Sequence, residues 1–378
     1  MAHAPTTTLS RRHEAVRRAM AEQALDALIV TALPNILYLT NFGGTSAIVV
    51  LTHERLQFVT DARYTTAVSE TIGTPHECPG LEPVRVGGSY DAALAGLLGS
   101  LPPGRIGFEG AHLSFSRHQW LSAHVDGARH ALVPSEGIVE RLRAVKDPYE
   151  IALLAEGGRR LSKAAADVLA SEVRVGRSER ELALAIDTAV RRAGFERAAF
   201  DTIVASGPHA ALPHARPGKR ILSEGDLVLL DFGGVYDSYC VDLTRTVSMG
   251  RPSDRARQVH AAVLAARDRA IEVAGPGVSR FAVDAAARGA LAGADMGDAF
   301  GHGTGHGLGI DVHELPRVGQ RRPDVDTRDE WLAAGMVFTI EPGAYFPGWG
   351  GVRIEDDVVV TASGVDLLTD VTTDLLEL

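Results

Sequence analysis

The chain is poor in the groups that define several protein classes. It has only two cysteines, Cys78 and Cys240, and no CxxC pair. That excludes a cysteine-ligated zinc ribbon and fits a reducing compartment. No apolar run approaches the ~20 residues of a membrane-spanning helix; stretches such as ALIVTAL and AIVVL are strand-sized. The leading MAHAPTTTLSRRHEAVRRAM lacks the apolar core of a secretory signal, so a cytoplasmic location and no membrane partner are expected. Basic residues are outnumbered, 38 against 48 acidic, for a formal net charge of -10. Such a balance disfavours a nucleic-acid partner. GxGxxG, a GKS or GKT phosphate loop, HExxH and GxSxG are all absent. Their absence argues against a dinucleotide fold, a phosphate cradle, a zincin helix and a serine-hydrolase elbow.

What is present is an ordinary globular composition, 45% hydrophobic and 23% charged over 378 residues, enough for about two or three domains. After a polar leader, residues 10–24 read as a helix. ALDALIVT, SAIVVLT, RLQFVTD and RIGFEG read as strands, and SYDAALAGLLGSL and SRHQWLSAHVDGA as helices. Strands alternating with helices predict an α/β layer domain. The character changes at RLRAVKDPYEIALLAEGG. Asp147-Pro148 can start a long helix, and Ser178 with Glu181 has capping-box spacing before a second one. Two further helices are expected at 253–274 and 279–293. The domain boundary is placed near Arg143 to Tyr149, giving units of 1–143 and 144–378.

The second unit contains a repeat. EGDLVLLDFGG (224–234) and AGMVFTIEPGA (334–344) superimpose with an offset of 110, matching Gly225 with Gly335, Asp231 with Glu341 and Gly233 with Gly343. Each copy is followed by another acid-bearing strand, YCVDLTRTVSM with Asp242 and GGVRIEDDVVVT with Glu355. Strand alternation puts Cys240, Asp242, Thr244 and Thr246 on one face, and Arg353, Glu355 and Asp357 on another. A buried carboxylate must be paired, hydrogen-bonded, protonated or metal-bound. Arg245 and Arg353 could pair with individual acids. Four acids converging from related halves point instead to divalent cations, two of which would balance four negative charges.

The run FGHGTGHGLGIDVHE (300–314) holds His302, His306 and His313, with glycine at every second position from Gly301 to Gly309. Alternate glycines oppose a helix and allow close backbone approach. One neutral imidazole completing a carboxylate-rich dimetal site is the best chemical fit, with the others serving substrate. Upstream, FDTIVASGPHAALPHARPGKR places His209 and His214 on a loop before the Asp231 strand, where it can reach over a site.

These segments, in order from about 200 to 361, resemble the pita-bread-fold metallopeptidases of peptidase family M24: aminopeptidase P, prolidase and methionine aminopeptidase. YLTNFGG and FVTDARYTTA resemble, more weakly, the amino-terminal domain of small bacterial aminopeptidase P-like proteins. The resemblance implies an α/β (α+β) chain: a creatinase-like α/β domain, then a pita-bread domain with a pseudo-twofold internal repeat. It implies that Asp242 and Glu355 bridge two metals, with Asp231 on one ion and His306 and Glu341 on the other. It also implies catalytic roles for His214, His313 and Glu341, and substrate contacts from His302 and Arg353. Its activity would be hydrolysis of the Xaa-Pro bond at the amino end of short proline-containing peptides, with a metal-bridged hydroxide as nucleophile. Family relatives suggest a homodimer or homotetramer. Four carboxylates and one imidazole favour hard ions, Mn²⁺ before Co²⁺ or Zn²⁺. Phe200, His302 and Tyr345 are expected to form the proline pocket. The departure from the family pattern is Arg216 in LPHARP, where relatives often carry smaller residues. An Xaa-Pro aminopeptidase is expected ahead of a dipeptide-only prolidase. A metal-free creatinase-type amidinohydrolase or a non-catalytic homologue would not need all five ligands.

Overall fold

The structure, a computed structural model, describes residues 3–322 and 330–378. The chain divides into two compact units, Met1–Arg143 and Ala144–Leu378.

The first unit runs α1 (Thr6–Glu22), β1 (Ala27–Val30), α2 (Leu33–Thr40), β2 (Ile48–Thr52), β3 (Leu56–Thr60), α3 (Thr65–Glu70), β4 (Leu81–Arg85), α4 (Tyr90–Ser100), β5 (Gly104–Glu109), α5 (Phe115–His124), β6 (His130–Ser135) and α6 (Ile138–Ala144). Its six strands form one mixed sheet in the order β4-β3-β2-β1-β5-β6. Only β2 is antiparallel to its neighbours; the remaining pairs are parallel. Every residue of β1 is buried, as a strand covered on both faces requires. Leu94, Leu97 and Leu98 of α4 and Leu121 of α5 pack in one cluster with Ile29, Val50, Val59 and Ile106. Helix α2 escapes the sequence reading because an eight-residue apolar run does not distinguish helix from buried strand. Pro34 in its first turn and the left-handed Asn41 (φ 61°) mark its ends.

The second unit opens with two capped helices, α7 (Pro148–Ser171) and α8 (Glu179–Arg192); α8 carries the capping box expected of Ser178 and Glu181, and in α7 the expected Asp147 cap is completed to a box by Glu150. Then follow β7 (Arg197–Ala198), β8 (Ile203–Ser206), β9 (Leu227–Tyr236), β10 (Tyr239–Ser248), α9 (Asp254–Val273), α10 (Arg280–Gly293), β11 (Gly305–Gly307), β12 (Glu314–Val318), β13 (Val337–Ile340), β14 (Gly343–Phe346), β15 (Gly350–Arg353), β16 (Asp356–Val360) and β17 (Val365–Leu367). β9 and β10 form a continuous antiparallel ladder, turned by Asp237 and Ser238, both at positive φ, as a two-residue hairpin demands. In the second half, β13 pairs with β16, and the β14–β15 hairpin is inserted after Glu341-Pro342.

Both halves use the same local devices. Gly225 and Gly335 enter their strands at φ +82° and +91°. Gly176 N–H donates to Leu222 O and Gly277 N–H to Leu332 O. Ser178 bridges Ile221 as Ser279 bridges Trp331. Each helix pair covers its own strands. Leu154, Leu161, Ile186 and Val190 meet Val228, Leu230, Val241 and Leu243. Val259, Val263, Val283 and Leu291 meet Phe338, Ile340, Val358 and Val360. Because side chains alternate along a strand, the residues between those positions project to the opposite face: Asp231 on β9, Asp242 and Thr244 on β10, Thr339 on β13. The halves join there, through a bridge between Thr244 and Glu355. Arg245 fastens the join by donating to Glu355 O (2.6 Å) and Asp356 Oδ1 (2.7 Å).

Candidate metal centre

Asp231, Asp242 and Glu355 are buried, 7%, 4% and 2% exposed, and meet His306 and Glu341 at one cavity. Asp242 comes from the inward register of β10. Its N–H donates to Asp357 Oδ2 (2.9 Å), and its Oδ1 accepts from Leu243 N–H (2.8 Å). Glu355 lies in the break between β15 and β16 and accepts from Thr244 Oγ1 at 2.5 Å. Glu341 follows β13 directly. Its N–H donates to Thr304 O (2.7 Å), and its Oε1 accepts from Thr339 Oγ1 (3.2 Å). Arg353 donates from Nη2 to Asp231 Oδ2.

The glycine-histidine run passes against these strands. A Cβ on Gly305 would stand 1.7 Å from Thr339 O, and one on Gly307 2.0 Å from Leu315 O, so only glycine fits. The close approach lets His306 N–H donate to Thr339 Oγ1 at 3.1 Å. Its Nδ1 lies 3.1 Å from Gly307 O. A carbonyl only accepts, so Nδ1 carries the proton and Nε2 presents a lone pair. That lone pair faces Glu341 Oε1 at 3.5 Å and Asp242 Oδ2 at 4.0 Å.

Acceptors facing acceptors at buried carboxylates need a proton or a cation among them. Burial, first, and the mutual repulsion of the acids, second, push the Asp242 and Glu355 carboxyls well above their usual range. Burial raises Glu341 to about 7. Burial also lowers His306, holding it neutral. Among the described residues, Asp231 Oδ1 is buried without a hydrogen-bond partner, as is Asp357 Oδ1 behind Asp242. Ligand atoms of Asp242, His306 and Glu355 all lie within 4.8 Å of one another. The donor set, oxygen-rich with one neutral imidazole, therefore fits divalent metal.

Around this centre lies a cavity of about 430 Å³ whose wall includes Phe200, His214, Arg216, His302, His313 and Arg353. His302 accepts at Nε2 from Tyr345 Oη (2.9 Å), and Tyr345 Oη accepts from Arg353 Nη1 (2.8 Å). His302 is held down to about 4, mainly by burial; His313 is too, by burial and then by His306. The His313 ring stands 4.2 Å from that of His306, centroid to centroid.

Three expectations change. Tyr345 is absent from the cavity wall; its hydroxyl is caught between Arg353 and His302, so it orients rather than lines. Arg245 pairs with Asp356, leaving the converging acids without it. His209 turns away from the cavity to Glu179 at 3.1 Å, while His214 remains on the wall. Sequence reasoning missed Thr244 and Thr339, whose hydroxyls fix the two glutamates. Their inward register beside Asp242 and Glu341 was the available signal.

A larger groove, about 800 Å³, runs along α7 and α8; on it Arg177 pairs with Glu172, and Arg159 and Arg160 pair with the neighbouring Glu156. Among the described residues, no helix is long and apolar enough to cross a membrane.

Comparison with known proteins gives the family and the fold. Residues 153–362 match the metallopeptidase family M24 profile, and residues 12–145 match the creatinase/prolidase N-terminal domain. An uncharacterized peptidase of Bacillus subtilis is 35% identical over 356 residues, 94% of this chain and 97% of its own. The structure of an Xaa-Pro dipeptidase from Bacillus anthracis superimposes with TM-score 0.91 at 34% identity, covering 98% of this chain and 100% of that one. An X-Pro aminopeptidase from Thermotoga maritima gives 0.85 at 31%, covering 97% and 99%.

Proposed function

The chain belongs to metallopeptidase family M24 and is a hydrolase of peptide bonds; on that premise we propose that it cleaves the Xaa-Pro bond at the amino end of short peptides, using two divalent metal ions. The observation that carries this reading is the His306 lone pair turned toward buried carboxylates, with Asp231 Oδ1 unpartnered beside them. Asp242 and Glu355 would lie between the two ions, Asp231 would hold one, and His306 and Glu341 the other. The hard oxygen set favours Mn²⁺, with Co²⁺ and Zn²⁺ as alternatives. The bound ions supply Lewis acidity and a water of lowered pKa.

The chain's own groups do the rest. Glu341, on the cavity wall, would carry a proton to the leaving nitrogen. His214 and His313 reach the cavity from two segments and can donate N–H to the scissile carbonyl oxygen as charge develops there. An Xaa-Pro bond leaves through a nitrogen that has no N–H, so the wall beside it need offer no acceptor. Phe200 and the neutral His302 provide such a surface, with Tyr345 and Arg353 holding His302 in place.

The test is hydrolysis of an Xaa-Pro dipeptide and an Xaa-Pro-Xaa tripeptide with Mn²⁺, alongside the metal content of the protein. Two ions per chain and proline-dependent cleavage are expected. No bound metal and no cleavage of either would refute the proposal. The sequence favours an aminopeptidase acting beyond dipeptides. One structural observation, the cation Arg216 on the cavity wall, supports a dipeptidase instead.

A further inference from the structure

The cavity has an electrostatic direction. Its deep end is built from Asp231, Asp242 and Glu355, all buried. Its outer wall carries His214 and Arg216, both exposed. Two arginines line it, and they differ in what they have left to give. Arg353 is committed: Nε donates to Thr244 Oγ1, Nη1 to Pro213 O and Tyr345 Oη, and Nη2 to Asp231. Arg216 makes no hydrogen bond or ion pair with any described residue, Asp201 on the same wall included. Among the described residues it is the charged side-chain donor on the cavity wall still available to a ligand.

The backbone that presents Arg216 is tethered on both sides. Upstream, Pro213 O accepts from Arg353 Nη1 at 3.2 Å, and Ala215 is buried in a cluster with Ile203, Leu229 and Tyr345. Downstream, Gly218 N–H donates to Glu179 Oε2 at 3.0 Å. Glu179 is itself fully buried and accepts from Ser206 N–H and Oγ at 2.9 and 2.8 Å, so one carboxylate ties both ends of the 206–218 loop. Pro213 and Pro217 restrict φ on either side of the segment. The exposed side chain therefore stands on a backbone that does not have to be ordered when a ligand arrives.

We infer that Arg216 receives the free carboxylate of the substrate, so that the protein selects peptides ending at the proline: Xaa-Pro dipeptides. This rests on the peptidase reading above. A dipeptide bound with its scissile carbonyl at the acids and its carboxylate at Arg216 follows the direction of the cavity's charge. A longer peptide places a neutral amide where the carboxylate would be. It forgoes the charge-assisted hydrogen bond, which is stronger than a neutral one.

The experiment compares kcat/KM for an Xaa-Pro dipeptide, its C-terminal amide, and an Xaa-Pro-Xaa tripeptide, using Mn²⁺-loaded wild type, Arg216→Ala and Arg216→Lys. The wild type should favour the dipeptide. Arg216→Ala should lose on the order of ten- to a hundredfold on the dipeptide, through KM, the range set by a hydrogen bond to a charged group. Its loss on the amide and tripeptide should be at least about fivefold smaller, and Arg216→Lys should recover part of the dipeptide rate. Equal losses on all three substrates, or a wild type indifferent to the amide, would overturn the inference while leaving the peptidase intact. Failure of the wild type to cleave any of the three would overturn the peptidase reading and this inference with it.

Discussion

Replacing Glu341 with glutamine should make the metal-free protein more stable at neutral and alkaline pH. The Glu341 carboxyl is raised from 4.5 to about 7, first by burial, with Asp231 adding to it and Arg353 opposing. A folded-state value above the unfolded one means that the folded chain binds more protons between those two pH values. The stability from that proton is therefore present below about pH 4.5 and lost as pH rises through 7. A shift of about 2.5 units at ~1.4 kcal/mol per unit amounts to roughly 3 kcal/mol. Glutamine has the same shape and no charge to bury. In chelator, the variant should match wild type near pH 4.5 and exceed it by about 3 kcal/mol at pH 8. For a unit of this size that is roughly 6–12 °C in Tm. Asp242 and Glu355, both raised in part by Glu341, relax in the same direction when its charge is removed. Saturating Mn²⁺ should reverse the order, because metal stabilises only the chain that binds it well. Thermal melts at matched ionic strength across this pH range are the assay. A difference between variant and wild type that does not change with pH would refute the reasoning.

Asp242→Ala and Glu355→Ala should each abolish turnover and lower metal content; full turnover in either would sink the assignment of those acids to both ions. Gly305→Ala should destabilise by about 3 kcal/mol or more, since its Cβ would overlap Thr339 O. Gly301→Ala, where a Cβ meets nothing within 4 Å, is its control, and equal melting of the two would contradict the close-approach argument. Tyr345→Phe removes the donor to His302 and one acceptor of Arg353. It should cost about 1–3 kcal/mol and lower kcat/KM on Xaa-Pro substrates, read by urea unfolding and steady-state kinetics.

Much of this centre was legible in the residues. Apolar runs entered by Gly225 and Gly335 and ended by Asp231 and Glu341 announce two related strands whose acids occupy one register. Alternation along a strand is a property of the covalent backbone, so Asp242 and Thr244 necessarily share a face. Glycine at every second position likewise states a steric requirement, which Thr339 O and Leu315 O then satisfy. The resemblance to a known family added the order of the five ligands and their roles.

Other features depended on which chain segments meet in space, and no local pattern encodes that. His209 and His214 are five residues apart on one loop, yet the first faces Glu179 and the second the cavity. Arg245 and Arg353 are both strand arginines, but only Arg353 reaches a site acid. Tyr345 was expected against the proline ring and instead orients His302. Side-chain identity and strand register determined that carboxylates, imidazoles and glycines would gather on one face. Tertiary packing decided which donors were used up in holding that face together, and left Arg216 with its donors free, because hydrogen-bond partners from distant segments are chosen only when the two halves close on each other.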